Sequence, residues 1–414
     1  MISETQYTDV CIIGAGPAGA AASITLSKSG IPHFLVDSAT FPRHKPCGDI
    51  LTSGALRAMN DLDASILQEL IENKLVSPIN NTHTFPPNGK PIRIDYLPLD
   101  GKENSPGCYS VSRYDYDIIF INRIEKLGLA TIKQNCRITQ IEEKTDGIQL
   151  VTESGETILA KLIIVATGSN NNILKQIGLS HPKGGSAIGI RAHYENVDCK
   201  INDSELYLSP GIMPGGLYIT PLPTGRFNVN LVVSMDKVAA ENLNLKEKFE
   251  SFIQSNPILQ SKFVNAKRIG NFEGSMLFLG LKQKVITGNR FMVVGDSGGL
   301  IDFFTGNGIP QALLSGKMAA QRAKEAIESE DFSKEFLFGF ENTLYKKLNK
   351  NYTAEKFIYP LLHKKTFSKF LLKFLNYLSG RPHTNAMLRD LLYQKDPGKM
   401  VRNPKFFYKL LIKR

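Results

Sequence analysis

The chain has 414 residues, of which 42% are hydrophobic and 21% charged, and these values exclude collagen, coiled coil and wholesale disorder. Its net charge of +11 is concentrated in residues 345–414, which hold 17 Lys and Arg against 3 acids. No apolar run is long enough for a spanning helix and the N-terminus lacks the plan of a signal peptide, so we expect a cytoplasmic protein. Five scattered cysteines and seven histidines without ligand spacing predict neither a disulfide framework nor a metal site.

The first segment of the chain has the pattern of a βαβ unit that binds a dinucleotide. Its parts are a buried strand at 10–13, a G-A-G-P-A-G turn at 14–19, a helix to about residue 28, and a strand at 33–36 that ends in Asp37. Gly14 is needed for the tight turn, Gly16 for the approach of a pyrophosphate to the helix N-terminus, and Gly19 for close packing of helix on strand. The Asp37 carboxylate is placed to bind ribose hydroxyls. This unit predicts a dinucleotide, either a nicotinamide or a flavin.

Two further kinds of segment follow along the chain. The first kind is typical of a cofactor-binding domain. Its segments are a strand at 163–166 before Gly168, a strand at 291–294 before Asp296, and a helix that begins after residues 305–309 and runs to about residue 328. Alternation of polar and apolar residues at 76–112 and 185–285 predicts a separate antiparallel sheet. Residues 131–160 predict a small β-meander with turns at 146–147 and 154–155.

With these segments, the chain resembles the flavoprotein superfamily of aromatic hydroxylases, flavin halogenases and geranylgeranyl reductases over residues 8 to 330. Within it, F-P-R-H-K-P-C-G at 41–48 is similar to the F-P-R-x-K-x-C-G segment of the geranylgeranyl reductases. A second motif of that branch, Y-x-W-x-F-P followed by N-V-G, is matched at Pro221, Asn228 and Val229.

Several positions depart from the patterns of the superfamily. Gly216, Tyr218 and Thr220 stand where the second motif has aromatic residues, so we expect a different wall of the substrate cavity. Thr167 replaces the Asp of an Asp-Gly motif in hydroxylases, which argues against a hydroxylase fed by NADPH. The chain has no Trp, so it cannot carry the W-x-W signature of flavin halogenases.

The resemblance implies an α/β fold with three parts. These are an FAD-binding Rossmann-like domain of the glutathione-reductase type, an inserted antiparallel-sheet substrate domain that roofs the flavin, and a basic amphipathic helical C-terminal region. The FAD-binding domain is predicted at 1–75, 113–184 and 286–330, the substrate domain at 76–112 and 185–285, and the C-terminal region at 331–414.

The resemblance also implies which residues bind FAD. Asp296 would contact the ribityl chain, the turn at 306–309 would direct backbone N–H groups at the pyrimidine end of the flavin, and Arg113 would contact the cofactor from a helix start. For Arg113 the alternative is a surface ion pair. The full set predicted to bind FAD is Gly14, Gly16, Ala18, Gly19, Asp37, Arg43, Cys47, Gly48, Arg113, Gly168, Asp296, Gly306, Asn307, Gly308 and Ile309.

The predicted activity is the reduction of carbon–carbon double bonds in an apolar, isoprenoid or lipid-like substrate, with a hydride from N5 of reduced FAD and a proton from an acid. Cys47 is expected near the reactive face as proton donor or polariser, although a free cysteine can also be a small buried hydrophobe. Tyr218 is the other candidate donor or wall residue, with packing as its alternative. Two rival functions stay open: a monooxygenase that hydroxylates or epoxidises an apolar substrate, and a flavin-binding or membrane-docking protein without turnover.

The basic tail bears on the partners of the chain. Large apolar residues between 367 and 378 follow a helical spacing among lysines, which is typical of a helix on an anionic membrane surface or of a cap packed on the body. The tail lacks any nucleic-acid-binding motif, so no nucleic-acid partner is expected. No second nucleotide-binding pattern identifies the electron donor, which can be NAD(P)H, ferredoxin or reduced quinone.

Overall fold

A computed structural model describes residues 5–87, 89–96, 98, 106–181, 185–280, 283–303, 305–348, 359–379 and 385. Its strands, in chain order, are β1 Gln6–Ile13, β2 His33–Val36, β3 Ile50–Leu51, β4 Ser77–Pro78, β5 Asn81–Phe85, β6 Ile92–Asp95, β7 Tyr109–Ser110, β8 Ala130–Lys133, β9 Ile138–Glu143, β10 Ile148–Thr152, β11 Thr157–Val165, β12 Ser186–Glu195, β13 Asp203–Tyr207, β14 Gly215–Pro221, β15 Phe227–Ser234, β16 Lys267–Phe278, β17 Thr287–Gly288 and β18 Phe291–Val293. Its α-helices are α1 Pro17–Lys28, α2 Ser53–Glu72, α3 Arg113–Leu127, α4 Asn171–Gln176, α5 Met235–Glu241, α6 Leu245–Ser255, α7 Pro257–Lys262, α8 Ile309–Ser329, α9 Lys334–Leu348 and α10 Lys365–Leu378.

The first sheet contains the βαβ unit predicted at the start of the chain. Its strand order is β17-β18-β11-β1-β2-β8, and the strands from β18 to β8 run parallel. The predicted meander is confirmed, because β9 and β10 extend antiparallel from β11. The strands at the centre of this sheet are apolar, as expected for a parallel sheet that helices cover on both faces.

The second sheet is formed by strands from both of the alternating stretches. Its order is β16-β12-β15-β14-β13-β5-β6, and a third sheet of three short strands, β3-β7-β4, lies apart from it. The antiparallel expectation holds for every pair except β5 with β13, which is parallel. The reason is connectivity: β5 and β13 are far apart in the sequence, so no hairpin fixes their relative direction.

Each large sheet has its own apolar core. In the second sheet, Leu217, Ile219, Val229 and Leu231 point to one face, where they pack with Phe249 of α6. The residues between them, with opposite orientation, therefore share the other face. This alternation gives the second sheet one face for its own core and one face for other contacts.

Helix α9 packs in the first core, although its residues were predicted as part of the C-terminal region. Leu337, Phe340 and Leu344 are buried there. The apolar residues of α9 recur at the helical spacing of a buried stripe, a pattern that does not distinguish a helix of the body from a helix of the tail. The basic segment that lies beyond the first core therefore begins after α9.

Helices α1 and α8 cross at a distance that leaves no room for a side chain. A Cβ atom on Gly316 of α8 would lie 2.0 Å from the Ala18 carbonyl oxygen, and one on Gly295 would lie 3.0 Å from the Ala18 Cβ. Because α1 follows β1 and α8 follows β18, both helices begin beyond the carboxyl edge of the parallel sheet. The close crossing fixes their N-termini relative to each other at this edge.

The described part of the tail, residues 359–379, contains the predicted amphipathic helix. In α10 the side chains of Leu372 and Leu378 are buried, and Phe370 is 63% exposed. The Tyr359 hydroxyl donates to an Asp236 oxygen at 2.7 Å, which ties the start of this segment to α5. Residues 386–414 lie outside the described residues. Among the described helices, none is long and apolar enough to cross a bilayer.

Candidate active site

The turn at 14–19 has the backbone that its glycines predict. Gly14 has a φ of +103°, and a Cβ atom there would lie 2.4 Å from the Ala166 carbonyl oxygen. A Cβ atom on Gly19 would lie 1.8 Å from the Gly14 carbonyl oxygen. Both positions therefore exclude any side chain. At Gly14 the reasons are the positive φ of the turn and the nearby Ala166, and at Gly19 the reason is the close approach of α1 to the turn.

Gly16 has open space beside it, in contrast to its neighbours. It is the N-cap of α1 with no side-chain cap, and the nearest atom to its Cβ position is the Arg43 Nη2, at 3.8 Å. The Asp37 carboxylate accepts hydrogen bonds from the Ala15 and Ala39 N–H groups at 2.7 and 2.8 Å. An uncapped helix N-terminus beside a guanidinium suits a phosphate group, and a fixed carboxylate next to it suits a ribose.

A second helix N-terminus, that of α8, lies at the same edge of the sheet. Gly308 is its N-cap, again with no side-chain cap, and a Cβ atom there would lie 2.9 Å from the Asp296 Oδ1. Burial raises the pKa of the Asp296 carboxyl group, and the nearby charges of Lys45 and Arg113 lower it in part. The turn before the helix includes Gly306 with a φ of +68°. The Asp296 carboxylate thus lies next to the N-terminus of α8, while the Gly306 and Asn307 N–H groups are bonded within the turn before it.

A buried cluster of charges connects these two helix N-termini. Arg113, the first residue of α3, donates two hydrogen bonds to Asp117, at 2.8 and 2.7 Å, and Arg43 lies 3.2 Å from the same carboxylate. Burial, with the charge of Arg113 next in weight, lowers the pKa of Lys45. The Lys45 ammonium donates to Ser275 of the second sheet at 3.1 Å. The surface ion pair considered for Arg113 is wrong, because its side chain is only 9% exposed.

Cys47 and Gly48 lie between this cluster and the second sheet. Burial, followed by the charge of Asp49, raises the pKa of the Cys47 thiol. No atom lies within 4 Å of the Cβ position of Gly48, so there is open space next to Cys47. The Asn228 amide donates to the Cys47 carbonyl oxygen at 2.7 Å. The thiol is therefore protonated at neutral pH, and the residue that follows it, Gly48, has open space at its Cβ position.

Tyr218 lies on the face of the second sheet that also carries Asn228. Gly216, Tyr218 and Thr220 alternate along β14 with core residues, and Thr220 pairs with Asn228 of β15. Burial raises the pKa of the Tyr218 hydroxyl, so it too stays protonated at neutral pH. The three positions that depart from the aromatic motif thus share one face with the residue that contacts the Cys47 segment.

Three other residues predicted at the site have a different surrounding. Ala18 is packed against Gly295 at the crossing of α1 and α8, and the Ile309 side chain is buried in the first core. Gly168 forms a left-handed turn with a φ of +64° and no atom within 4 Å of its Cβ position.

Comparisons with known proteins give the family. A family model described as FAD binding domain matches residues 7–250. The digeranylgeranylglycerophospholipid reductase of Methanococcus vannielii is 30% identical over 346 residues, which cover 82% of each chain. The chain is an FAD-dependent oxidoreductase of the geranylgeranyl reductase family. Its paired helix N-termini, its cationic cluster and the open space beside Gly16 fit this cofactor.

Solved structures show the same fold for this geranylgeranyl reductase family member. A geranylgeranyl bacteriochlorophyll reductase-like protein of Thermoplasma acidophilum has a TM-score of 0.75 and 20% identity, with coverage of 98% of this chain and 96% of that chain. A leucine-to-tyrosine mutant of the halogenase PltM in complex with FAD has a TM-score of 0.70 and 18% identity, with coverage of 97% of this chain and 89% of that chain. The predicted α/β fold is therefore confirmed.

The sequence did not point to several residues that surround the site of this reductase family member. Asp117 and Arg191 are both buried and both bind residues of the motif at 41–49. Arg191 occupies a polar position of an alternating strand, where a solvent-facing residue is expected by default. The Asp at 49 directly follows the Cys-Gly match, and that was the only available indication of its role.

The raised thiol pKa predicts how Cys47 reacts with an alkylating reagent. An ordinary thiol titrates near about pH 8.5, so its alkylation rate levels off above that value. The thiolate fraction of Cys47 stays smaller at each pH, and its rate with iodoacetamide should still be rising at the pH where the rate of free cysteine has levelled off. Peptide mass spectrometry after timed reaction measures this rate, with free cysteine as the reference. A plateau below about pH 8.5 would contradict the protonated thiol.

Proposed function

We propose that the chain reduces carbon–carbon double bonds of an isoprenoid lipid. The observation that carries the proposal is the position of the Cys47–Gly48 segment between the N-termini of α1 and α8 and the second sheet. The Cys47 thiol is protonated, and there is open space at the Cβ position of Gly48. The name of the Methanococcus vannielii relative, a digeranylgeranylglycerophospholipid reductase, supports this substrate class.

The described geometry supports a definite placement of FAD. The uncapped N-terminus of α1 at Gly16, with Arg43 beside it, would hold the pyrophosphate, and Asp37 would bind a ribose. Asp296 would bind the ribityl chain. The α8 N-terminus at 306–309 would hold the pyrimidine end of the flavin, because a helix N-terminus stabilises negative charge there. Gly14, Ala18, Gly19, Gly168 and Arg113 complete the proposed set by shaping or lining this site.

The chemistry divides between the cofactor and the chain. Reduced FAD, when bound, supplies the hydride. The chain must align an unpolarised double bond and supply the proton that the second carbon needs. The Cys47 thiol is the proposed donor, because it is protonated at neutral pH and has space beside it. Tyr218, also protonated, is proposed as a wall residue on the facing sheet.

The cofactor placement predicts the effect of Gly16→Val. The nearest atom to the Gly16 Cβ position is 3.8 Å away, so valine has room in the protein itself and would occupy only the approach of the pyrophosphate. The variant should lose the yellow colour of bound flavin while its unfolding free energy stays within about 0.5 kcal/mol of the parent apoprotein. Absorbance after gel filtration and urea unfolding measure the two quantities. A folded variant that stays yellow would show that the pyrophosphate binds elsewhere.

The activity is tested without oxygen. The protein is reduced with dithionite, which makes the assay independent of the natural electron donor, and geranylgeranyl diphosphate or a polyprenyl lipid extract is added. We expect the oxidised-flavin band to return with a product about two mass units heavier per reduced bond. Cys47→Ala should keep the flavin and lose roughly 100-fold or more in rate, because a positioned acid contributes that much. Cys136→Ala, at a partly buried thiol packed against the first core, is the matched control.

The same assay separates reduction from the two rival functions. A flavin that stays reduced until air is admitted, with a product that then carries oxygen, would replace the proposal with a monooxygenase. A flavin that transfers no electrons to any added substrate would favour a binding protein without turnover. Equal rates for Cys47→Ala and the parent would remove Cys47 as the donor and leave the reduction itself in place.

We also propose that helix α10 brings the protein to an anionic lipid surface. Residues 359–379 contain four lysines and no acid, and Phe370 projects from the helix between Lys369 and Lys373, which are exposed. Large apolar side chains flanked by lysines are typical of helices that lie in the headgroup region. An isoprenoid lipid substrate resides in such a bilayer, so the docking surface and the proposed activity are consistent.

The lipid-surface proposal predicts a loss of binding in the triple variant K369E/F370S/K373E. Its affinity for phosphatidylglycerol-rich liposomes should fall at least about tenfold, because each basic residue near the surface contributes about 1 kcal/mol. Cosedimentation at low and high salt measures the binding. The control K246E/K267E makes the same charge change at exposed lysines of the substrate-sheet region and should bind as the parent does. Equal binding of the triple variant and the parent would refute this docking surface.

A further inference from the structure

The residue after the Cys47–Gly48 segment adopts an unusual backbone conformation. Asp49 has a φ of +56°, in the left-handed region that side chains other than glycine rarely adopt, and its side chain is fully buried. Such a conformation costs free energy and persists only where the surroundings determine it. The contacts of Asp49 therefore indicate what holds this part of the chain.

The side-chain contacts of Asp49 come from the second sheet, whereas its carbonyl oxygen accepts a hydrogen bond from the Val111 N–H group at 3.1 Å. The Asp49 Oδ2 accepts hydrogen bonds from the Arg191 Nη1 at 2.8 Å and from the Asn228 Nδ2 at 2.7 Å. The same Asn228 amide donates to the Cys47 carbonyl oxygen. Arg191 also binds Glu273, at 2.9 Å, and His193 lies 3.8 Å from the Asp49 carboxylate. Two adjacent strands, β12 and β15, thus contact this one carboxylate, and β16 joins the network through the pairing of Glu273 with Arg191.

A network of this kind is a poor choice for stability alone. Arg191 is 5% exposed and Asp49 is 0% exposed, so both charges are removed from water. Apolar residues of similar size often stabilise a protein as well as or better than a buried ion pair. The network instead fixes the orientation of the segment. It holds the Cys47 carbonyl group and the Asp49 side chain against the sheet that carries Tyr218.

We propose that Asp49, Arg191 and Asn228 form a clamp of positioning residues that holds the Cys47 thiol at the reactive face. The clamp rests on the proposed function, in which Cys47 supplies the proton. It acts through Cys47, because the Asn228 amide binds the Cys47 carbonyl oxygen and the backbone of Asp49 bonds the Cys47 thiol. It joins the cofactor fold to the substrate sheet at the point where the substrate must lie.

The clamp is tested through the thiol as well as through activity. Asn228→Ala removes the amide that binds Cys47 and Asp49, so the released segment should expose the thiol and its alkylation by iodoacetamide should become faster. FAD should still bind. The anaerobic rate with geranylgeranyl diphosphate should fall roughly 10- to 100-fold, because small displacements of a reacting group have effects of this size.

A second variant separates positioning from packing. Asp49→Asn preserves the size of the side chain, and asparagine also tolerates positive φ. Arg191 retains Glu273 as a counter-charge in this variant. Lys45 and Arg113 face the thiol from the cofactor fold, and Arg191 faces it from the sheet. Removal of the Asp49 charge should therefore shift the alkylation profile of Cys47 to lower pH, roughly tenfold in rate for each pKa unit. A merely structural role would not move this profile in a folded variant.

The matched control is Arg226→Ala. It breaks an exposed ion pair with Glu195 between the same two strands, β12 and β15, away from Asp49. Its alkylation profile and its rate should equal those of the parent. The clamp is overturned if Asn228→Ala and Asp49→Asn both leave the alkylation of Cys47 unchanged. If the parent itself does not reduce the alkene, the proposed function fails, and the alkylation profiles still decide whether the clamp exists.

Discussion

The site depends on one close contact between two helices. Gly316 of α8 lies against the Ala18 carbonyl group of α1, and a single methyl group at this glycine would overlap that oxygen. Because each helix begins at the carboxyl edge of the parallel sheet, the contact fixes the distance between two helix N-termini. An extended dinucleotide needs two such anchors a constant distance apart. The cofactor site is therefore a property of helix packing as much as of the glycine turn.

The segment between β2 and β3 connects this cofactor fold to the substrate sheet. Arg43 pairs with Asp117 of the cofactor fold, Lys45 lies near the charges of that fold and donates to Ser275 of the sheet, and Cys47 and Asp49 bind the sheet. The sheet keeps its core on one face and presents β14 residues on the other. Residues such as Gly216 and Tyr218, which we propose as part of the substrate wall, therefore lie on the face opposite to the core of this sheet.

Local patterns predicted the parts of the structure that depend on neighbouring residues. The turn at 14–19 and the meander after β8 follow from glycine geometry and turn residues. The helix that begins at Arg113 was expected only from the family resemblance, and the structure adds its N-cap, Ser112, which accepts a hydrogen bond from the Asp115 N–H group. The contact of Asp49 with Arg191 joins residues 142 positions apart, and no local pattern encodes it. The parallel pairing of β5 with β13 and the position of α9 were missed for the same reason. They depend on how whole elements meet.

The left-handed conformation of Asp49 limits how this position can evolve. Asparagine and glycine share its tolerance of positive φ, and both are one nucleotide change away from an aspartate codon. Either replacement would deprive the buried Arg191 of one of its two carboxylate partners. A single nucleotide change can therefore replace Asp49 with a residue that tolerates positive φ but carries no negative charge. Aspartate both tolerates positive φ and carries the negative charge that pairs with Arg191. Purifying selection at this codon should therefore act mainly against loss of the charge.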